Sequence, residues 1–320
     1  MTKYSFKLDD FRAAELRVQK KIRQTPLLKA QPLRNNITGD SELFLKLENL
    51  QPTGSFKVRG AINTLMTLTE EQKNKGLITA SGGNHGLAVA YAAAIAQVPA
   101  LIYLPTSIGN DKIEKLHSWG AETQITGTVW DEANEKALTV AQNNNMTYIH
   151  PFSDPRVIHG QGTVSLEILD TNPDIDVLLV AVGGGGLIAG AAAAAKAMNP
   201  RIKIIGIEPE GAPTHYNSRK AGRVITLSKI ETRAATLAPR RSDQLNFDLI
   251  TKHVDEIALV SDAAMEDAAR WLWFELGIAA ELSGAAAIAA ISSGVISITD
   301  GSNICSIICG CGIDGINLST

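Results

Sequence analysis

Apolar residues along this chain follow two patterns: short unbroken runs, and stretches in which they recur every three or four positions. The second pattern opens the chain at 8–23 and predicts an amphipathic helix that stops before the turn at Thr25-Pro26. A strand is expected at 43–47, then a loop ending at Lys57, then a helix over 58–68. Thr69 and Gln72 fit a capping box, each side chain satisfying the other's free amide at a new helix start. From there runs and helices take turns: strand 77–80, glycine turn 81–86, an alanine-rich helix to 96, strand 100–104, helix 111–119, strand 122–125 and helix 131–143. A second series follows His150-Pro151, with helix 157–169, strand 177–182, helix 187–198 and strand 202–207. It closes with strand 256–260, a helix capped at Ser261-Asp262 and stopped near Gly277, helix 284–291 and strand 303–308.

Strand–helix alternation with short connections implies an α/β fold of parallel sheets with helices on both faces. No low-complexity linker separates the two series. The expected division is a discontinuous large domain, 1–74 and 148–320, with a smaller inserted domain at 75–147. Ligands in such sheets bind in a crevice outside the strand C-termini.

Composition narrows the classes. The 320 residues are 45% hydrophobic and 20% charged, which disfavours disorder. A formal net charge of −3 gives no electrostatic case for nucleic acid or an acidic membrane surface. The longest apolar run, 177–195, is interrupted by four glycines, so it reads as strand, turn and helix and not as a membrane span. The N-terminus has no apolar secretory core, and the three cysteines (Cys305, Cys309 and Cys311) crowd near the C-terminus without a disulfide or zinc spacing. A cytoplasmic protein is expected.

Three features carry candidate chemistry. Gly183, Gly184, Gly185 and Gly186 sit between a strand and a helix, where converging amides and a helix N-terminus suit a phosphate. The bland alternative is a tight turn. The run from Gly184 to Ala189 also matches a dinucleotide fingerprint, with Glu208 placed as a ribose-binding acid, so a dinucleotide-binding protein is a rival reading. Lys57 follows Phe56 in a Gly/Ser turn; it is either a solvated surface charge or an amine whose apolar neighbours lower its pKa toward carbonyl chemistry. Ser81-Gly-Gly-Asn84-His85-Gly86 is a second glycine turn whose amides would suit a carboxylate. His85 alone reads as readily as a structural histidine.

Taken in order, Gly-Ser-Phe-Lys57-Val-Arg-Gly-Ala61, the asparagine loop and the tetraglycine resemble the fold-type II pyridoxal-phosphate enzymes, in the serine/threonine dehydratase and serine racemase branch. The likeness spans essentially the whole chain, with support from Lys46-Leu-Glu48, His150-Pro-Phe152, Gln161-Gly-Thr163 and Glu208-Pro-Glu-Gly-Ala212. It implies a two-domain, tryptophan synthase β-like fold and pyridoxal 5′-phosphate held by Lys57 as a Schiff base. It further implies Phe56 near the cofactor ring, Asn84 on its phenolic oxygen, and Gly183 to Gly186 with Leu187 on its phosphate. Ser81, Asn84 and His85 would bind the substrate carboxylate, largely through loop amides. Cys309 would face the pyridine nitrogen. A neutral thiol there makes the ring a weaker electron sink, which favours loss of a β-substituent over a long-lived carbanion. The expected partner is a small amino-acid substrate, with no nucleic acid and no membrane, and relatives imply a homo-oligomer, dimer or tetramer.

Two departures sharpen the resemblance. Racemases of this branch carry a second serine as a base on the opposite face, and Gly82 stands in its place. Thr214 stands where metal-binding racemases have an aspartate, so no metal ligand is assigned. With few residues after Cys309, the C-terminal regulatory domain of large biosynthetic threonine dehydratases is not expected. The expected activity is a threonine/serine dehydratase (an ammonia-lyase) giving a 2-oxo acid and ammonia. Hydroxyaspartate or phenylserine dehydration and serine racemisation are the alternatives within the enzyme class.

Overall fold

In the computed structural model, which describes residues 5–312 apart from 32 and 107, the chain builds two sheets. The first part runs α1 (Leu8–Val18), β1 (Leu27–Lys29), β2 (Glu42–Lys46), α2 (Lys57–Met66) and α3 (Glu70–Lys75). Next come β3 (Leu77–Ala80), α4 (Asn84–Ala96), β4 (Ala100–Leu104), α5 (Asn110–Ser118), β5 (Glu122–Ile125), α6 (Trp130–Asn144) and β6 (Thr147–Tyr148). The remainder is α7 (Pro155–Thr171), β7 (Val177–Ala181), α8 (Gly186–Met198), β8 (Lys203–Pro209), α9 (Thr214–Ala221), α10 (Gln244–His253), β9 (Glu256–Val260), α11 (Asp262–Leu276), α12 (Leu282–Ser292) and β10 (Asn303–Ile307).

The six-stranded sheet has the order β1-β2-β10-β7-β8-β9, and the four-stranded sheet β5-β4-β3-β6. All pairings are parallel except β1 on β2. That exception corrects the purely parallel expectation: β1 is a three-residue edge strand, too short and too exposed to show a period in sequence. Central β7 is buried at every position, as a strand covered on both faces must be. α1 stops at Val18 and not at 23, because the chain turns there and tucks Ile22 into the same apolar cluster as Val18 and Leu65. The Thr69–Gln72 capping box forms, with Gln72 N–H donating to Thr69 Oγ1 at 3.2 Å and Thr69 N–H to Gln72 Oε1 at 2.9 Å. Ser261 caps α11 through the Ala264 amide at 3.1 Å. Among the described residues no helix is long and apolar enough to cross a membrane.

Helix α2 ties the two sheets together. Its Val58, Ala61, Ile62 and Leu65 share a core with Leu77, Val89 and Ile102, while its opposite side packs on α7. The α2–α7 crossing needs glycine on both helices: a Cβ on Gly60 would lie 2.8 Å from Val157, and one on Gly160 would lie 2.5 Å from the Arg59 carbonyl. This close approach brings Arg59, fully buried, onto two carboxylates. Its guanidinium donates to Glu48 at 2.6 and 2.7 Å and to Glu167 at 2.7 and 2.9 Å, and also to Thr163 Oγ1 at 3.0 Å. Lys46 completes the cluster, reaching Glu167 at 2.5 Å and the Thr25 carbonyl at 2.7 Å. Burial pushes the Glu48 carboxyl up, but Arg59 outweighs it and holds the group below the ordinary range.

Two cations thus face two anions, and removing one partner leaves a buried charge uncompensated. Arg59→Met is expected to cost roughly 3–5 kcal/mol in chemical denaturation, and to combine non-additively with Glu48→Gln. Because the folded Glu48 pKa is depressed, its contribution is present at neutral pH and lost as pH falls through that folded value. A variant as stable as the parent would refute this reading of the cluster.

Candidate active site

Strand C-termini from both sheets converge on one place. Residues 81–86 follow β3, His150 to Phe152 follow β6, 183–186 follow β7, and Cys309 follows β10. The loop after β2 runs alongside: Phe56 N–H donates to the Cys309 carbonyl at 3.1 Å, and Ser55 bridges Gly310.

Lys57 opens α2, with its Nζ donating to the Pro151 carbonyl at 2.6 Å and lying 5.2 Å from the centre of the Phe56 ring. Burial lowers its pKa from 10.5 to about 8, against an opposing pull from Cys309 and Glu281. The lysine is therefore no solvated surface charge. It is an amine that sheds its proton near neutral pH, as carbonyl chemistry requires.

The tetraglycine forms a cradle at the start of α8. Gly185 has φ +90, a conformation that side-chain-bearing residues rarely adopt. The Gly184 carbonyl is drawn away by Ser242 Oγ at 2.9 Å and Asn246 Nδ2 at 2.6 Å. The first amides of α8, including that of Leu187, have no acceptor within the helix, an arrangement that suits an anion. Glu208 is engaged by backbone amides. It is buried, and both its oxygens accept amides of α9, from His215 and Tyr216, at 2.8 Å each. Burial raises its pKa to about 8. The exposed ribose acid of the dinucleotide reading is absent from that position.

Asn84 opens α4, and its Nδ2 donates to Glu281 Oε1 and Oε2 at 3.0 and 3.1 Å. Ser81 Oγ accepts from the Gly83 amide at 3.3 Å. The His85 ring turns inward, bonding the Ile149 carbonyl at 2.9 Å; burial, aided by Lys57, pulls its pKa to about 3, so the ring is neutral. The ring is thus taken up by the Ile149 carbonyl, and His85 itself lies in the first turn of α4. Cys309 is buried, its Sγ 3.7 Å from Ser283 Oγ, and burial with nearby Glu281 pushes the thiol pKa up to about 12. It stays a neutral thiol at physiological pH.

Glu281 is the site residue that sequence reasoning missed. It also accepts from Ser283 Oγ, and from Thr236 Oγ1 at 3.4 Å. The only signal was its place at the N-cap of α12, hidden by starting that helix at 284.

An activated amine, an anion cradle, a positioned amide and a neutral thiol suit a cofactor with an aldehyde, a phosphate and a pyridine ring. The glycine cradle and the lowered Lys57 pKa pass that test within this structure. A family model described as "Pyridoxal-phosphate dependent enzyme" matches residues 18–310. The chain belongs to this family. It is 40% identical over 284 residues to the L-threonine ammonia-lyase of Thermotoga maritima, covering 89% of this chain and 70% of that protein. It is 37% identical over 290 residues to a serine racemase of Oryza sativa subsp. indica, covering 91% and 85% respectively. The structure of maize serine racemase superposes with a TM-score of 0.91 at 35% identity, covering 96% of this chain and 94% of that one.

Covalent trapping of an aldehyde on Lys57 with cyanoborohydride, read by peptide mass, should rise with pH through a midpoint near 8, the neutral amine being the reactive form. A midpoint near the ordinary 10.5 would show that the amine is not desolvated.

Proposed function

We propose that this member of the family is a threonine/serine ammonia-lyase, converting a β-hydroxy amino acid to a 2-oxo acid and ammonia. Relatives at similar identity carry both lyase and racemase names, so overall likeness does not separate the two activities. The observation that carries the choice is Gly82. It has no side chain to move a proton, and Ile108 fills the space beside it: a Cβ on Gly82 would lie 2.1 Å from Ile108 Cδ1.

When bound, pyridoxal phosphate supplies an aldehyde to Lys57 and an electron-withdrawing ring that acidifies the substrate Cα–H. Lys57 is the group that takes the proton from the substrate Cα, and the β-hydroxyl leaves with a proton as water. The amides of Gly183 to Gly186 and Leu187 hold the phosphate, and Phe56 packs near the ring. Asn84, held through its Nδ2 by both oxygens of Glu281, would present its side-chain amide to the phenolic oxygen. Amides at the start of α4, with Ser81, Asn84 and His85, hold the substrate carboxylate. Cys309, a neutral thiol, would face the pyridine nitrogen without stabilising a proton there, which supports elimination over a long-lived carbanion. For threonine the balance is 2-oxobutanoate plus ammonia, the water lost in elimination being regained in hydrolysis.

In purified protein, Lys57→Ala should abolish the visible absorbance of lysine-bound cofactor. It should also lower 2-oxobutanoate formation by at least about 10²–10⁴-fold. Normal turnover in that variant would sink the assignment. With serine, pyruvate should form faster than D-serine, measured by chiral chromatography; the reverse order would overturn the reading of Gly82. Gly82→Ser combined with Ile108→Ala, which makes room for the hydroxyl, should raise the ratio of D-serine to pyruvate.

A further inference from the structure

His215 is the second residue of α9, and no part of it is exposed. Neither ring nitrogen has a hydrogen-bond partner among the described residues. A neutral imidazole carries one donor and one acceptor, and buried polar groups of this kind are almost always paired. The ring lies directly against the tetraglycine turn: a Cβ on Gly185 would meet its Nε2 at 2.7 Å and its Cε1 at 2.8 Å. The backbones of Gly184 and Gly183 pull against the burial that lowers its pKa to about 4, although neither ring nitrogen completes a hydrogen bond.

The ring is held there on purpose-built support. Glu208 at the end of β8 accepts the His215 amide at 2.8 Å, and β8 is the strand paired with β7, from which the glycine turn springs. Ile250 packs against the same spot, its Cδ1 2.9 Å from that Cβ position. A second buried atom at the same turn, Asn246 Oδ1, is also unpartnered, while Asn246 Nδ2 already holds the Gly184 carbonyl. Unpaired polar groups thus collect beneath one turn, and that turn is the one read as the phosphate site.

We propose that His215 is a positioning residue of the phosphate loop, its imidazole bonding the Gly183 and Gly184 backbone when phosphate is held and fixing the amides that receive it. The proposal rests on reading residues 183–187 as the phosphate site. His215 touches no reacting atom and acts through the loop.

The full-length chain, stripped of cofactor, is titrated with pyridoxal phosphate and with pyridoxal, which has the same aldehyde and no phosphate. His215→Leu should weaken the phosphate-bearing ligand about tenfold, the worth of one hydrogen bond, and leave pyridoxal unchanged. His215→Gln, which keeps a donor and an acceptor, should recover most of the loss. The ³¹P resonance of the bound phosphate should move in the leucine variant and return in the glutamine variant. Equal weakening of both ligands, or of neither, overturns the proposal. A parent protein that does not prefer the phosphorylated ligand overturns the phosphate-loop reading itself. Should His215→Leu fail to fold, the parent labelled with ¹⁵N-histidine decides. The ring signal missing in His215→Gln should shift with pyridoxal phosphate and not with pyridoxal, and an unmoved signal refutes the inference.

Discussion

Everything at the site hangs on the buried meeting of Arg59 with Glu48 and Glu167. Charges are expensive to bury singly, and this cluster is tolerable only because Lys46, Thr25 and Thr163 complete it. Its members come from β2 and the turn after it, from α2 and from α7, so satisfying the charges fixes those elements against one another. Arg59 lies two residues beyond Lys57 on the same helix. The geometry that satisfies Arg59 therefore also determines where the lysine amine emerges. The stretches Lys46-Leu-Glu48 and Gln161-Gly-Thr163, which carried no chemistry of their own in sequence, owe their place to this cluster.

Around that anchor the site is built from groups that protein surroundings keep neutral or nearly so. Burial brings Lys57 toward deprotonation, keeps the Cys309 thiol protonated and keeps the His85 ring uncharged. Polar contacts are then offered by the amides at the starts of α4 and α8, and by Glu281, which holds Asn84. Such an arrangement suits anionic groups on fixed backbone donors beside an amine whose pKa is lowered toward neutrality.

Much of the fold was legible because its signals are local. The Thr69–Gln72 box and the Ser261 cap need only residues three apart, and the buried run of β7 followed by glycines announces strand, turn and helix. Elements without a local signal were missed. β1 and β6 are short edge strands, three and two residues long, and α9 is short and strongly polar. Glu281 escaped for a related reason: nothing about a glutamate before an alanine-rich helix says that its carboxylate will face an asparagine 197 residues earlier in the chain.

The sequence by itself determined which chemistry was possible. The order of the lysine segment, the asparagine loop and the tetraglycine named the cofactor class, and Gly82 removed one candidate base, because a missing side chain is missing in any fold. Tertiary structure alone decided which groups meet and in what state. It made the Lys57 ammonium a stronger acid by desolvation and spent Glu208 on capping α9. It also placed Glu281 on Asn84, set Ile108 beside Gly82 and seated His215 against the tetraglycine turn. Desolvation and contact between residues far apart in the chain are properties of the packed molecule, and no local pattern of residues encodes them.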